Sequence, residues 1–225
     1  YLINSFKTQF IGGLSFGYSY NNQRKNLGGN ATNIRFNLET AGNLIDNGLG
    51  VPEDLERRLL AAIDKPFARD VSRRFFEQLR NGARRLLYIC DNAGEIVFDT
   101  LFARILKERF PHLHITAAVK ATPILNDATR EDALQVGLDR VADLVITTGA
   151  IGMVGAPLRS AGEEFRSAMV QCDLFLSKGQ GNYETLDDCP GGYLILTAKC
   201  PVVAKALGTK EGELVFVASK PGAAQ

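Results

Sequence analysis

From Arg85 onward the chain alternates short, nearly continuous apolar runs with amphipathic stretches. Leu86-Leu87-Tyr88-Ile89-Cys90 precedes a helical pattern from about Glu95 to Arg109, and His114-Ile115-Thr116-Ala117-Ala118-Val119 precedes one starting near Thr129. Asp143-Leu144-Val145-Ile146-Thr147 comes next, with a helix near Glu163–Gln171 after it. Leu174-Phe175-Leu176, Leu194-Ile195-Leu196 and Leu214-Val215-Phe216-Val217 complete the series. Apolar strands without polar alternation, separated by helices, predict a mostly parallel sheet covered on both faces. The expected fold is therefore α/β, doubly wound and Rossmann-like (α/β/α), with a small N-terminal helical region.

That region spans about residues 38–85. Ala41, Leu44, Ile45 and Gly48 keep helical spacing, and Pro52 opens a second helix with Glu53 and Asp54 in its first turn. A third is expected from about Pro66 to Asn81–Gly82, with Val71, Phe75, Phe76 and Leu79 on its apolar face. Arg69, Arg73, Arg74, Arg80, Arg84 and Arg85 form a basic stripe that reads as a solvated face, since no aromatics interleave for stacking on nucleic acid. The first 25 or so residues show neither periodicity, nor the basic start and cleavage site of a signal peptide. The expected division is residues 1–82 as arm and helical region, and residues 83–225 as the α/β domain carrying the site.

Composition narrows the function. Lys+Arg (26) and Asp+Glu (25) nearly cancel, so no global field recruits nucleic acid or an anionic membrane. No apolar run approaches the ~20 residues of a membrane span. Four cysteines (Cys90, Cys172, Cys189, Cys200) at no zinc spacing suit reduced thiols in a cytoplasmic protein. With only His112 and His114 available, a histidine metal site or a Ser-His-Asp triad is disfavoured. The sequence does not specify an oligomeric state.

Sites in open parallel sheets form beyond the carboxyl ends of the strands. Here those ends carry Asp91-Asn92, Lys120 with Asn126-Asp127, Thr147-Thr148-Gly149, Ser177-Lys178-Gly179 and Lys199. Carboxylates and amides gathered with lysines suit a hard divalent cation beside phosphate oxygens. Each piece also has a structural reading. Asn92-Ala93-Gly94-Glu95 fits a helix capping box, and Lys178 fits a surface lysine. Thr129 and Asp132 can cap the following helix without Asp127.

Three motifs together resemble the metal-dependent damage-control phosphatases, a family long known as a domain of unknown function. They are Asp91-Asn92-Ala93-Gly94-Glu95-Ile96-Val97-Phe98-Asp99, Asn126-Asp127-Ala128-Thr129 and Ser177-Lys178-Gly179-Gln180-Gly181-Asn182-Tyr183-Glu184. Ala41-Gly42-Asn43-Leu44-Ile45-Asp46 and Lys199-Cys200-Pro201-Val202-Val203-Ala204 are similar to its stand-alone microbial branch. The resemblance implies a divalent ion (Mg²⁺, Mn²⁺, Co²⁺ or Ni²⁺) held by Asp91, Asn92 and Asp127, with Lys178 on the phosphate. It also implies that the substrate is a small phosphorylated metabolite: a sugar phosphate, a nucleotide or a pantetheine-type phosphate. Asp91 is assigned to the metal, with nucleophile or base as a second role, and Glu95 to proton transfer. Lys120, Asn126, Thr148, Gly149, Gly179 and Asn182 are the further phosphate candidates, with Asn43 and Asp46 at the border of the pocket. The rival readings are an S-adenosylmethionine-dependent carboxyl methyltransferase, for which the loop after the first strand supplies a single glycine, and a non-catalytic module that binds phosphometabolites.

Overall fold

A computed structural model describes residues 66–220, which belong to one compact unit beginning at Pro66. The helices expected over 38–65, together with Asn43 and Asp46, lie outside the described residues. Among the described residues seven strands form one sheet: β1 (Arg69–Asp70), β2 (Arg85–Ile89), β3 (His114–Val119), β4 (Leu144–Thr147), β5 (Leu174–Lys178), β6 (Gly192–Thr197) and β7 (Leu214–Ala218). The helices are α1 (Ser72–Arg80), α2 (Ile96–Arg109), α3 (Arg130–Val136), α4 (Glu163–Gln171), α5 (Gln180–Leu186) and α6 (Pro201–Leu207).

The strand order is β1-β7-β6-β5-β2-β3-β4, parallel throughout except for the antiparallel β6–β7 pair. From β2 the chain winds outward through β3 and β4, then returns to the other side of β2 for β5 and β6. The sheet is doubly wound as the apolar pattern predicts, and its switch point lies between β2 and β5. Tyr88 pairs with Leu176 and Ile89 with Ser177, so the carboxyl ends of these two strands are level.

Both faces are covered. Leu87, Ile89, Phe175, Leu194, Leu196, Val215 and Val217 alternate onto one face beneath Phe165 of α4, Tyr183 and Leu186 of α5, and Val203 and Leu207 of α6. The residues between them turn to the other face, where Tyr88 meets Phe102 of α2 and Tyr193 and Phe216 meet Phe75 of α1. Among the described residues no helix is long and apolar enough to cross a membrane.

The start of α1 departs from expectation. Arg69–Asp70 pairs in parallel with β7, and Val71 donates to the Phe216 carbonyl at 3.0 Å, so an edge strand replaces the first helical turn. Asp70 Oδ1 then accepts the Ser72 N–H at 2.7 Å, and the helix begins there. Residues 66–80, grouped by the sequence with the helical region, therefore pack on the sheet. Phe75 is fully buried, and the Tyr193 hydroxyl donates to Gln78 Oε1 at 2.7 Å.

Phe75→Ala is expected to destabilise the α/β unit by about 3–5 kcal/mol, the usual range for emptying a buried aromatic site. Chemical denaturation followed by far-UV circular dichroism measures this. A shift below about 1 kcal/mol would mean that α1 is not part of this core.

Candidate functional site

The chemistry-bearing residues converge at the switch point, where open parallel sheets place their crevice. Cys90-Asp91-Asn92 continues β2, and Gly179 follows β5. Gly179 has φ +85°, and a Cβ there would stand 2.0 Å from Asp91 Oδ2, so only glycine lets this loop run against the carboxylate. Its N–H donates to the Ile195 carbonyl at 2.9 Å.

Backbone bonds lace the loop after β2 to the loop after β3. Ala93 N–H donates to Asn126 O at 2.8 Å, Ala128 N–H donates to Asp91 O at 2.7 Å, and Asn92 and Asp127 form an isolated antiparallel bridge. The pairs Asp91-Asn92 and Asn126-Asp127 are thereby brought side by side, as the order of strand ends suggests. On the other side of β2, Asn182 donates from Nδ2 to Cys90 O (3.2 Å) and Lys178 O (2.8 Å), stapling the ends of β2 and β5.

Buried charge fills the space so formed. Lys120 pairs with Asp127 at 3.3 Å and donates to the Gly155 carbonyl. Lys178, 1% exposed, pairs with Glu95 and with Asp99 Oδ1, the latter at 3.0 Å. Asp99 Oδ1 also accepts the Tyr88 hydroxyl at 2.6 Å. Burial, and then the Asp99 carboxylate, push both the Tyr88 phenol and the Cys90 thiol well above their ordinary ranges. Tyr88 therefore donates as a neutral phenol, and Cys90 stays a thiol rather than a thiolate nucleophile. Burial first, and the neighbouring Asp127 carboxylate second, push Asp91 up to about 6 against the pull of Lys178, Lys199 and Lys120. No hydrogen bond to the Asp91 carboxylate is found among the described residues.

Several expectations change in detail. The capping box at Asn92–Glu95 does not form: Asn92 Oδ1 accepts the Gly94 N–H at 3.1 Å, and the Glu95 carboxylate goes to Lys178 instead. Asp132 accepts both the N–H and the hydroxyl of Thr129, at 2.8 and 2.7 Å, so α3 begins without help from Asp127. Lys178 is an ion-paired buried residue and not a surface lysine. Among the phosphate candidates, Asn182 has its amide hydrogens on backbone carbonyls, Gly179 has its N–H on Ile195, and Asn126 lends its carbonyl to Ala93. Thr148 N–H donates to Val119 O at 2.8 Å, while its buried hydroxyl has no hydrogen-bond partner among the described residues. Gly149 lies against Gly162 so closely that a Cβ would meet the Gly162 nitrogen at 2.3 Å, which makes it a packing glycine. Asp99 and Tyr88 were missed as members of the site. Asp99 stands four residues after Glu95 on α2, a spacing that puts both carboxylates on one face, and that signal was available in the sequence.

A groove of about 250 Å³ between the sheet and α4 is lined by Arg85, His114 and Leu144, the first residues of β2, β3 and β4. It contains none of the candidate site residues. Among the described residues no three His, Cys, Asp or Glu side chains gather as a ligand cluster. The donor set at the crevice is two carboxylates and an amide oxygen. Such a set suits Mg²⁺-like ions, which keep several waters and take only one or two protein carboxylates.

A family model described as the damage-control phosphatase ARMT1-like domain matches residues 32–215. Damage-control phosphatase PH1575 of Pyrococcus horikoshii is 38% identical over 186 residues, covering 81% of this chain and 63% of that protein. Uncharacterized protein MJ0202 of Methanocaldococcus jannaschii is 38% identical over 184 residues, covering 79% of this chain and 59% of its own. A damage-control phosphatase of Archaeoglobus fulgidus is 42% identical over 134 residues, covering 58% of this chain and 45% of its own. The chain thus spans between 45% and 63% of the length of these curated relatives. The crystal structure of a DUF89 family protein (PH1575) from Pyrococcus horikoshii at 2.04 Å resolution superposes with TM-score 0.78 at 32% identity, covering 96% of this chain and 75% of that one.

Because Asp91 titrates near 6 in the folded chain against an ordinary 3.8, ionising it costs stability. The loss builds as pH rises from about 4 to 6 and is complete above that. Asp91→Asn is therefore expected to raise the melting temperature of metal-free protein at pH 8 by a few °C, with a smaller gain at pH 5. Differential scanning calorimetry in chelator at both pH values checks this. A lowered melting temperature at pH 8 would contradict it.

Proposed function

The chain belongs to the damage-control phosphatase ARMT1-like family, and on that premise we propose that it is a metal-dependent phosphatase of small phosphorylated metabolites. The observation that carries the reading is a charge imbalance at the switch point. Among the described residues, Asp91, Asp127, Glu95 and Asp99 bring four carboxylates to the crevice, against two buried cations, Lys120 and Lys178, with the exposed Lys199 also acting on Asp91. Counted among the described residues, the carboxylates outnumber the buried lysines by two, in a place where an uncompensated ion costs several kcal/mol. A divalent cation supplies the two missing charges, and the raised Asp91 marks where the repulsion is felt.

Asp91, Asn92 and Asp127 are the residues suited to hold that ion, the first and last through carboxylates and Asn92 through its amide oxygen. When bound, the ion would neutralise phosphate oxygens and make a bound water more acidic. The chain's own residues account for the rest. Lys178 and Lys120 offer ammonium hydrogens at the crevice to a transferring phosphoryl group, which spreads negative charge over its oxygens. Glu95, three residues beyond Asn92 and bonded to Lys178, is the residue we assign to carry the proton to or from the reacting oxygen. Lys178 meets phosphate from inside an ion pair, not as a free surface cation. Phosphate monoesters of sugars, nucleotides or pantetheine-type alcohols are the proposed substrate class. Gly94 is the single glycine between Asp91 and α2, which offers little cradle for the methyltransferase alternative.

Hydrolysis of a generic phosphate ester is expected with added Mg²⁺, Mn²⁺, Co²⁺ or Ni²⁺, to fall at least ~10²-fold in chelator, and to return on adding metal back. Asp127→Asn is expected to lose turnover together with the thermal stabilisation by metal, while remaining folded. Full turnover by metal-free protein would overturn the metal assignment. Metal-induced stabilisation and phosphate binding with no turnover of any ester would leave a binding module.

A further inference from the structure

We propose that Asp99, fixed by the Tyr88 hydroxyl, is the positioning residue that aims the Lys178 ammonium into the switch-point crevice and keeps it aimed when phosphate displaces Glu95. The inference rests on the phosphatase reading and assigns roles to two residues outside the expected site.

Lys178 is the last residue of β5, and its side chain turns to the sheet face covered by α1 and α2. Among the described residues its carboxylate partners Glu95 and Asp99 stand four residues apart on the same side of α2, yet they are not equivalent. Glu95 stands at the start of the helix, three residues after Asn92. Asp99 lies one turn deeper and has no exposed surface. Its Oδ1 accepts from the end of β5 on one side (Lys178 Nζ, 3.0 Å) and from β2 on the other (Tyr88 hydroxyl, 2.6 Å). Tyr88 is itself 1% exposed and wedged against Phe102, so the acceptor cannot swing away.

A phosphate monoester entering the crevice brings negative charge toward Glu95. Lys178 can then turn an N–H from Glu95 to a phosphate oxygen without leaving Asp99, and Glu95 is released for proton transfer. Asp99 supplies the constant part of the arrangement. The fold alone gives a poor account of it. Buried ion pairs add little net stability. Asp99 Oδ2, moreover, is buried with no hydrogen bond among the described residues, a cost that a purely structural staple does not explain.

The test uses the full chain with saturating Mg²⁺, comparing wild type, Asp99→Asn and Tyr88→Phe. Melting temperature, kcat and KM for p-nitrophenyl phosphate are measured, along with calorimetric binding of inorganic phosphate. Asp99→Asn is expected to lower kcat by ~10–100-fold and to weaken phosphate binding at least ~10-fold, as when a charge-stabilising donor is misplaced. Tyr88→Phe, which keeps the ring packing, is expected to lower kcat by about 3–10-fold with little change in melting temperature. Altered melting temperatures with unchanged kcat and phosphate affinity in both variants would overturn the inference and leave a structural staple. If Asp99→Asn does not fold, Tyr88→Phe decides alone: unchanged kcat and phosphate affinity overturn it. Absence of turnover in wild type would instead remove the phosphatase reading. Phosphate binding would still judge this one, since equal affinity in wild type and in the folded variants sinks it.

Discussion

Four carboxylates share the crevice at the carboxyl ends of β2 and β5, and the fold has to hold them together against their own repulsion. Among the described residues two buried lysines offset part of it. The remainder shows up at Asp91, whose carboxyl is pushed up to about 6 by burial and by Asp127. A scaffold selected only for stability would place apolar side chains or paired charges here. Concentrated like charge at the switch point of a doubly wound sheet is the feature on which we base the proposal of a bound cation.

The surrounding backbone is shaped by that requirement. Asp91 can sit between the strand ends because Gly179 has no Cβ to collide with it. The loops after β2 and β3 are sewn together by Ala93 and Ala128, and the ends of β2 and β5 by Asn182. These bonds come from main-chain groups and a neutral amide, so the carboxylates are positioned without being neutralised. The ion pair of Lys178 with Glu95 and Asp99 closes the crevice from below. Its coupling to Tyr88 ties the chemistry to the central strand.

Much of this could be read from the chain. Strands such as Leu86–Ile89 and Leu174–Leu176 are apolar on consecutive residues because both sheet faces are covered, and that pattern survives without knowledge of partners. Asp91 and Asn92 stand out because a carboxylate or amide just after a buried strand has no packing reason to be there, and Asp127 because Thr129 and Asp132 cap the next helix without it. What stayed hidden depends on neighbours distant in sequence. Pairing with β7, more than 140 residues away, turns Arg69–Asp70 into an edge strand where local periodicity continues a helix. Gly149, Gly179 and Asn182 look like a phosphate cradle by residue type, but tertiary contacts commit them to packing and stapling. Asp99 sits inside a helix among apolar residues, and only the fold brings Tyr88 and Lys178 to it.

The most direct test of the central claim is anomalous scattering from crystals grown with Mn²⁺, recorded at the manganese edge. The account predicts one strong peak at the switch point, bounded by the side-chain oxygens of Asp91, Asn92 and Asp127. No peak there, or manganese bound only elsewhere on the chain, would contradict it.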